Sequence, residues 1–417
     1  MIYVVGSGFS GLTTAYALLK KKIKCTVISP SENKKREFIP IIKYLLKKEG
    51  EIIYKKSNSF KNLSNINKSD VSNCKYILNH QKGGQSNIWG GVLGNLDDYN
   101  LKRFPINRKK FFKYKNEFKK LFSIIGFPKN TNLKSKKLNK NITEHKLIVS
   151  RTNNEKLRQF LKKKGVKFID NYIVKKINHK SKNIELIYLK NLKTKKIQFK
   201  KIFISAGPIE TSKIILNSFK INSITLKETR HFYSIIKIKK KLKSRFFTLR
   251  YRNFKIYLQL YTLKNALNTL FRKKDTNTNL VSRYQLGQCY LNSENSGIIK
   301  IKKKGDGFKI EGIESKKISK SNILNRVRTL NMLNKYFEIK NIIFNKIGGS
   351  NHLGGSFPAG GVAKNSINLT KNGELKNYKG VFISDSSNLN YIDSLPITTF
   401  SMYNNLRLIL SNNKLGK

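Results

Sequence analysis

The sequence predicts an α/β protein in two parts, one built on parallel strands with a glycine-rich turn and one built on an antiparallel sheet. Three observations carry that expectation. IYVVGSGFSGLTTAYALLKKKIKCTVIS (residues 2–29) reads strand, tight turn, helix, strand. KIFISAGPIETSKIILNS (Lys201–Ser218) is again a buried strand, a turn at Ala206-Gly207-Pro208 and a helix. Between Asn222 and Asn345 the pattern changes to short alternating segments divided by turns.

The first segment has a physical reason at each step. Ile2–Val5 is apolar and largely β-branched, suited to a strand buried on both faces. Gly6, Gly8 and Gly11 follow as GxGxxG. Gly6 permits the turn, Gly8 lets a pyrophosphate reach the N–H groups at the helix start, and Gly11 lets helix and strand pack closely. Leu12, Ala15, Tyr16, Leu18 and Leu19 mark the helix, and Cys25–Ile28 the second strand. This is the pattern of a Rossmann-like dinucleotide site. An acid usually ends the second strand and holds the adenosine ribose. Here Ser29 stands in that place before Pro30, so a neutral hydrogen bond from Ser29, or Glu32, must serve. FAD and NAD remain alternatives on this segment.

Further along, residues 166–199 alternate as short hairpin strands do. Residues 256–261, 287–292 and 297–304 read as antiparallel strands with a turn at GDG. Ile323, Val327, Leu330 and Phe337 follow helical spacing after a candidate cap at Ser321. Tyr251, Tyr257, Tyr261, Tyr284 and Tyr290 suit either a core or a sugar-stacking wall. Arg108–Phe127 reads as one basic amphipathic helix, which either covers the second part or lies on a membrane surface. Asn, Lys and Ser crowd residues 54–75, predicting a mobile loop.

The formal charge is +63 over 417 residues. A nucleic-acid binder is the sharp reading, but the lysines are spread through strand-like stretches such as IIKIKKKLK rather than gathered in one tail or helix. Compositional drift toward Lys, Asn and Ile explains them better. No specific nucleic-acid partner is expected, and the basic surface allows peripheral contact with an anionic membrane. Cys25, Cys74 and Cys289 lack CxxC spacing, which predicts neither a disulfide framework nor a metal site and fits a reducing, cytoplasmic compartment. The start of the chain carries no basic leader, and no apolar run approaches the roughly 18 residues that span a bilayer.

GGQSNIWGG (Gly83–Gly91) gathers four glycines around Trp89, the sole tryptophan. Glycines let a backbone touch a planar, charged cofactor that side chains would hold away. The stretch resembles the GGxSxxWGG segment of bacterial glucose-methanol-choline (GMC) type flavin oxidoreductases. That resemblance implies cofactor contact from Gly83, Gly84, Ser86, Asn87, Trp89 and Gly90. Other segments resemble the same family in the same chain order. Ala206 and Gly207 match its strand–AG–helix return, and Val174 its adenine-side position. His352, Gly355 and Ser356 in SNHLGGSFPAGG match its HxxGTxxMG-like segment. Asp385 falls on its flavin-contacting acid, and Met402, Asn404, Leu406 and Arg407 on its last helix.

The resemblance implies a glutathione-reductase type FAD-binding domain at 1–107, 150–221 and 346–417, and a substrate domain at 108–149 and 222–345. It implies oxidation of a CH–OH group in an alcohol or sugar, with His352 as the base; the electron acceptor, whether oxygen, a quinone or a carrier, is not specified by the sequence. Histidine suits that role because its ordinary pKa lies near neutrality. Ile88 occupies the place where some relatives attach flavin covalently, so FAD is expected to be noncovalent. The family's second His or Asn falls near Pro396, leaving Ser394, Thr398 or Asn390 as substitutes. Two other readings are a non-redox flavoenzyme acting on a sugar nucleotide, and a basic binding protein with a vestigial nucleotide fold.

Overall fold

In the computed structural model Ile2–Val5 is the middle strand of a five-stranded parallel sheet, ordered Val381–Ile383, Lys201–Ile204, Ile2–Val5, Thr26–Ser29, Lys167–Asp170. The structure describes residues 1–30, 68–76, 78–80, 82–87, 91–101, 104, 107–127, 135–146, 148–149, 154–262, 283–315, 319–360 and 367–415, without the side chains of 87, 148, 149 and 262. Alternate strand residues point to opposite faces, and both faces are covered. Val4, Val27, Phe203 and Phe382 pack under the helices Phe9–Lys20 and Ile397–Leu410. Tyr3, Val5, Ile28, Ile202, Ile204 and Ile383 pack on the other side, against helix Pro208–Ser218 and a three-stranded meander that carries Val174.

Among the described residues there are two larger sheets besides, and a two-stranded one that pairs Val92–Leu93 with Ile148–Val149. A five-stranded sheet runs Leu353–Gly354, Ser223–Glu228, Ile298–Lys304, Gly307–Ile313, Ser69–Ser72. A seven-stranded antiparallel sheet runs Phe337–Phe344, His231–Ile238, Tyr284–Leu291, Phe254–Thr262, Phe246–Tyr251, Ile142–His145, Ser135–Lys137. Its period-two pattern sorts the residues cleanly. Phe232, Ile236, Ile256, Leu258, Cys289 and Leu291 bury one face with Ile323, Val327 and Leu330 of helix Lys320–Met332. On the opposite, front face His231, Tyr290 and Tyr257 stand in one cross-strand row, with Tyr233, Gln288 and Gln259 in the next.

Several boundaries differ from the sequence expectation, each for a local reason. The second strand is Thr26–Ser29. Lys167–Asp170 joins the parallel sheet, so only Tyr172–Asn178, Asn183–Tyr188 and Thr194–Gln198 form the meander. Of residues 54–75, 54–67 lie outside the described residues and Ser69–Ser72 is a strand paired with Gly307–Ile313. Ser319, not Ser321, caps the later helix by accepting from the Asn322 N–H at 3.2 Å. Phe337 begins a strand because the Asn334 side chain takes the N–H groups of Tyr336 and Phe337 beyond the helix end.

The segment Arg108–Phe127 is a helical turn, a tighter turn and a helix Lys115–Ile125 rather than one helix. The Tyr403 hydroxyl donates to the Phe111 carbonyl, which a continuous helix would have given to Lys115. Phe111, Phe118, Leu121 and Ile125 are buried in the core beside Tyr403 and Leu406. The apolar side of this segment is therefore covered by protein, and its lysines form a solvated face.

Candidate functional site

The closing loop that follows strand Val381–Ile383 reaches the front of the seven-stranded sheet through the Lys255–Asp393 pair, and the candidate site is built where the two meet. In open α/β sheets the carboxyl end of the strands is where ligands collect. Gly6 has φ +105°, and a Cβ there would lie 2.3 Å from the Ser205 carbonyl oxygen. A Cβ on Gly11 would lie 2.0 Å from the Gly6 oxygen. These two glycines hold turn, helix and neighbouring strand together. Gly8 differs: it is the N-cap of helix Phe9–Lys20, no side chain caps that helix, and the nearest atom to a Cβ would be the Gly83 oxygen at 3.6 Å.

The Gly83 loop therefore sits against the turn. The Gly83 N–H donates to Ser7 Oγ at 3.3 Å, Ser86 Oγ donates to the Gly83 carbonyl at 2.5 Å, and Gly84–Asn87 form a tight 3-10 turn. Ile88, Trp89 and Gly90 lie outside the described residues, as does Glu32. Ser29 is fully buried and its hydroxyl lies 2.6 Å from Ser7 Oγ, so it ties the turn together from inside. The strand-end acid that the sequence lacks at 29 stands one strand over. Asp170 is in register with Ser29, meets Arg158 Nη2 at 2.5 Å, and keeps Oδ1 buried without a partner. Val174 is buried in the meander beyond it.

Gly207 has φ +85°, and a Cβ there would meet nothing within 4 Å. Its N–H donates to Asp385 Oδ2 at 3.0 Å, and the Thr211 hydroxyl donates to the same oxygen at 2.6 Å. Asp385 Oδ1 accepts from the Ser387 N–H at 2.9 Å. The Asp385 carboxylate thus clamps two chain returns, and burial pushes its pKa up despite those donors. The uncapped helix start at Gly8, the bare Gly207 and the adjoining Gly83 loop present backbone with little side-chain cover, of the chemical kind that binds a diphosphate, so these residues suit a bound dinucleotide.

A ladder carries His352 to the same place. Gly355, Phe357 and Ala359 donate from backbone N–H to the carbonyls of Ser386, Ser387 and Asn388 at 2.8–3.0 Å. Gly354 is required there, since a Cβ would lie 2.3 Å from the Ser386 oxygen. The ladder follows directly on Asp385, and His352 is next to its start. The imidazole stacks on Tyr290 of the antiparallel sheet, ring centroids 4.9 Å apart and 21° from parallel. Its Nδ1 is buried without a partner among the described residues, and burial pushes its pKa down to about 4. At neutral pH the ring is uncharged and able to accept a proton.

Sequence reasoning offered Tyr257, Tyr261 and Tyr290 for this front wall and missed its His231, Tyr233, Gln259 and Gln288. His231 also stacks on Tyr290, at 4.6 Å and 17°. Tyr261 donates to Gln288 Oε1 at 3.1 Å, and Gln259 Nε2 lies 2.5 Å from the Tyr261 oxygen. Burial raises the pKa values of Tyr233, Tyr257 and Tyr261, so their hydroxyls stay neutral. Lys255 on the same face meets Asp393 of the closing loop at 2.7 Å, a buried ion pair joining the two sheets. His145 is different: its ring nitrogens are taken by Asp98 and Ser135 on one side and Thr248 on the other. The only advance signal for this wall was the aromatic alternation along its strands.

Near Pro396 the closing loop supplies no imidazole. The Pro396 carbonyl accepts from the Tyr99 hydroxyl, Ser394 Oγ donates to Asp393, and Asn390 keeps Oδ1 buried without a partner. Among the described residues no cluster of His, Cys, Asp and Glu has the makings of a metal site, the three cysteines are buried and free, and no helix is long and apolar enough to cross a membrane.

No protein-family model matches the chain, and no curated protein matches it in sequence. Among solved structures it is similar in fold to pyridoxine 4-oxidase from Mesorbium loti, with a TM-score of 0.55 over 98% of this chain and 98% of that chain at 10% sequence identity. The likeness runs nearly end to end and concerns the fold.

Proposed function

We propose that this chain is an FAD-dependent oxidoreductase of GMC type that oxidises the CH–OH group of an alcohol or sugar, with His352 as the base. The observation that carries the reading is the ladder from Gly355 to Ala359 along Ser386–Asn388. It brings the only histidine of the HxxG-like motif to the ends of the parallel strands and onto the wall of the antiparallel sheet at once. The end-to-end likeness to an oxidase fold supports the same reading.

In this reading residues 1–107, 150–221 and 346–417 hold FAD noncovalently and residues 108–149 with 222–345 enclose the substrate. Gly6, Gly8, Gly83, Gly84, Ser86, Ala206 and Gly207 border the diphosphate. Asp385 acts by fixing Gly207 and the closing loop, and Asp170 is better placed than Ser29 for the ribose. Bound flavin supplies a hydride acceptor. The chain's own part is to orient the hydroxyl and take its proton. His352 is neutral and unpartnered at Nδ1, and an alkoxide developing beside it raises its basicity by Coulombic attraction. The wall of Tyr261, Gln259 and Gln288 is uncharged and rich in hydrogen-bonding groups, which suits a neutral polyhydroxylated or ring substrate. A cytoplasmic setting belongs to the same reading.

The test is optical. Purified protein should be yellow, and one of a panel of sugars, primary alcohols and pyridoxine should bleach it without oxygen. His352→Ala should stay yellow and bleach about 10²–10⁴-fold more slowly. A colourless protein with tight, salt-dependent DNA binding would favour the vestigial binding protein instead. Yellow protein that no alcohol bleaches would favour a non-redox flavoenzyme.

A further inference from the structure

A base at His352 leaves the substrate oxygen in need of a hydrogen-bond donor, and the closing loop near Pro396 offers no imidazole for it. We propose that His231 is that donor, its Nε2–H binding the substrate oxygen from the front face of the antiparallel sheet. The proposal rests on the oxidoreductase reading above.

The tautomer follows from neighbouring hydrogen bonds. The Lys346 N–H donates to Asn345 Oδ1 at 2.9 Å, which fixes the orientation of that amide. Asn345 Nδ2 then faces His231 Nδ1 at 3.1 Å and donates to it. The Asn345 N–H also donates to the His231 carbonyl at 2.9 Å, so the two residues are held together at two points. With Nδ1 accepting, the single proton of a neutral imidazole sits on Nε2.

That Nε2 is buried and has no partner among the described residues. A buried N–H without an acceptor costs about 1–3 kcal/mol, so its persistence marks a place where an acceptor arrives. Burial, reinforced by His352 nearby, pushes the His231 pKa down to about 3, which keeps the ring a neutral donor at working pH. The ring lies 4.6 Å from Tyr290, the same ring that His352 stacks on at 4.9 Å.

The arrangement also divides the labour between the two imidazoles. His231 has its one lone pair engaged by Asn345 and its other nitrogen protonated, so it has nothing left with which to take a proton. His352 Nδ1 has no such lock among the described residues. The hydroxyl proton therefore goes to His352, while His231 keeps its own and holds the oxygen.

The experiment uses full-length protein labelled with ¹⁵N-histidine. Long-range proton–nitrogen spectra should show His231, recognised by the signal lost in His231→Gln, as the neutral Nε2–H form from pH 8 down to about pH 5. Acetate, whose oxygens accept hydrogen bonds as an alkoxide does, should shift the Nε2 resonance. His231→Phe, which keeps a ring against Tyr290, should weaken acetate binding at least about tenfold without altering flavin content, and His231→Gln should recover part of it. An Nδ1–H tautomer, or acetate that leaves the Nε2 resonance unmoved, overturns the proposal, as does unchanged acetate affinity in a folded His231→Phe. If the protein carries no flavin, the oxidoreductase reading falls separately, and the tautomer and the acetate shift still decide whether His231 is a donor site.

Discussion

The parallel sheet and the seven-stranded sheet deliver polar groups to one junction by opposite constructions. In the parallel sheet the strands are largely apolar on both faces, and the functional candidates sit at or past their ends, mostly in turns where bare backbone is presented. In the antiparallel sheet the candidates lie along a whole face, at every second residue, with the alternate residues buried under a helix. The first construction depends on the absence of side chains at a few glycines. The second depends on strand register, because a one-residue slip would turn His231, Gln288 and Tyr290 into the core. The two are then joined by the Lys255–Asp393 pair and by the Tyr290–His352 stack.

The largest effect should come from filling the turn. Gly11→Ala places a methyl group 2.0 Å from the Gly6 oxygen, and destabilisation beyond about 4 kcal/mol, or loss of folded protein, is expected in urea unfolding. Gly8→Ala is the control. Gly8 already has φ −70° and its nearest contact is 3.6 Å, so stability should change by only about 0.5 kcal/mol while FAD affinity falls. Equal damage from both substitutions would break the distinction between structural and ligand-facing glycines.

Next in size is the link between the sheets. Lys255→Met leaves the Asp393 carboxylate buried without its cation, at a cost of about 3–5 kcal/mol. At present burial alone would raise the Asp393 pKa, and the Lys255 ammonium reverses that. Adding Asp393→Leu to the lysine variant should restore much of the stability. A double variant no better than the single would mean that Asp393 serves mainly through its bonds to Asn100 and Leu395.

A smaller effect separates the regions by pH. His352 is pushed from 6.5 to about 4 and His231 to about 3, so the unfolded chain takes up protons that the native chain refuses. Their contribution is present above pH 6.5 and fades as pH falls toward 4 for His352 and toward 3 for His231. Glu228, beside the Gly348 N–H, is raised by burial from 4.5 to about 8, so its contribution is full below pH 4.5 and is lost as pH rises toward 8. Thermal melts should show His352→Phe flattening the acid side of the stability profile and Glu228→Gln the alkaline side. The smallest effect is Ser29→Ala, which removes one buried hydroxyl pair and should cost about 1 kcal/mol without changing bound flavin.

What was legible in the sequence follows the same division. Gly6, Gly8 and Gly11 are near neighbours along the chain, and their roles depend on local geometry, so the first strand, turn and helix could be read directly. The Gly83 loop, the return at Gly207 and the His352 segment were legible as motifs, although only the fold showed that the His352 segment runs beside Ser386. The broken helix at Phe111 was not legible, because its cause is a tyrosine on the closing helix far along the chain. His231 had no motif at all. Its alternation with Phe232 was visible, but its meaning comes from Tyr290 across the sheet and from Asn345 on another strand. Ser29 pointed to a missing acid, and the neighbouring strand that carries Asp170 could be recognised only once its pairing with Ser29 was known.

The central claim is that the turn, the Gly83 loop and His352 surround one flavin. A crystal structure of the protein with FAD tests it most directly. The diphosphate should lie against Gly8 and Gly207, and the reactive edge of the ring should face the His352 imidazole across the space for a substrate hydroxyl. FAD bound elsewhere, or seated in the turn with its ring remote from the Tyr290–His352 stack, would contradict the account.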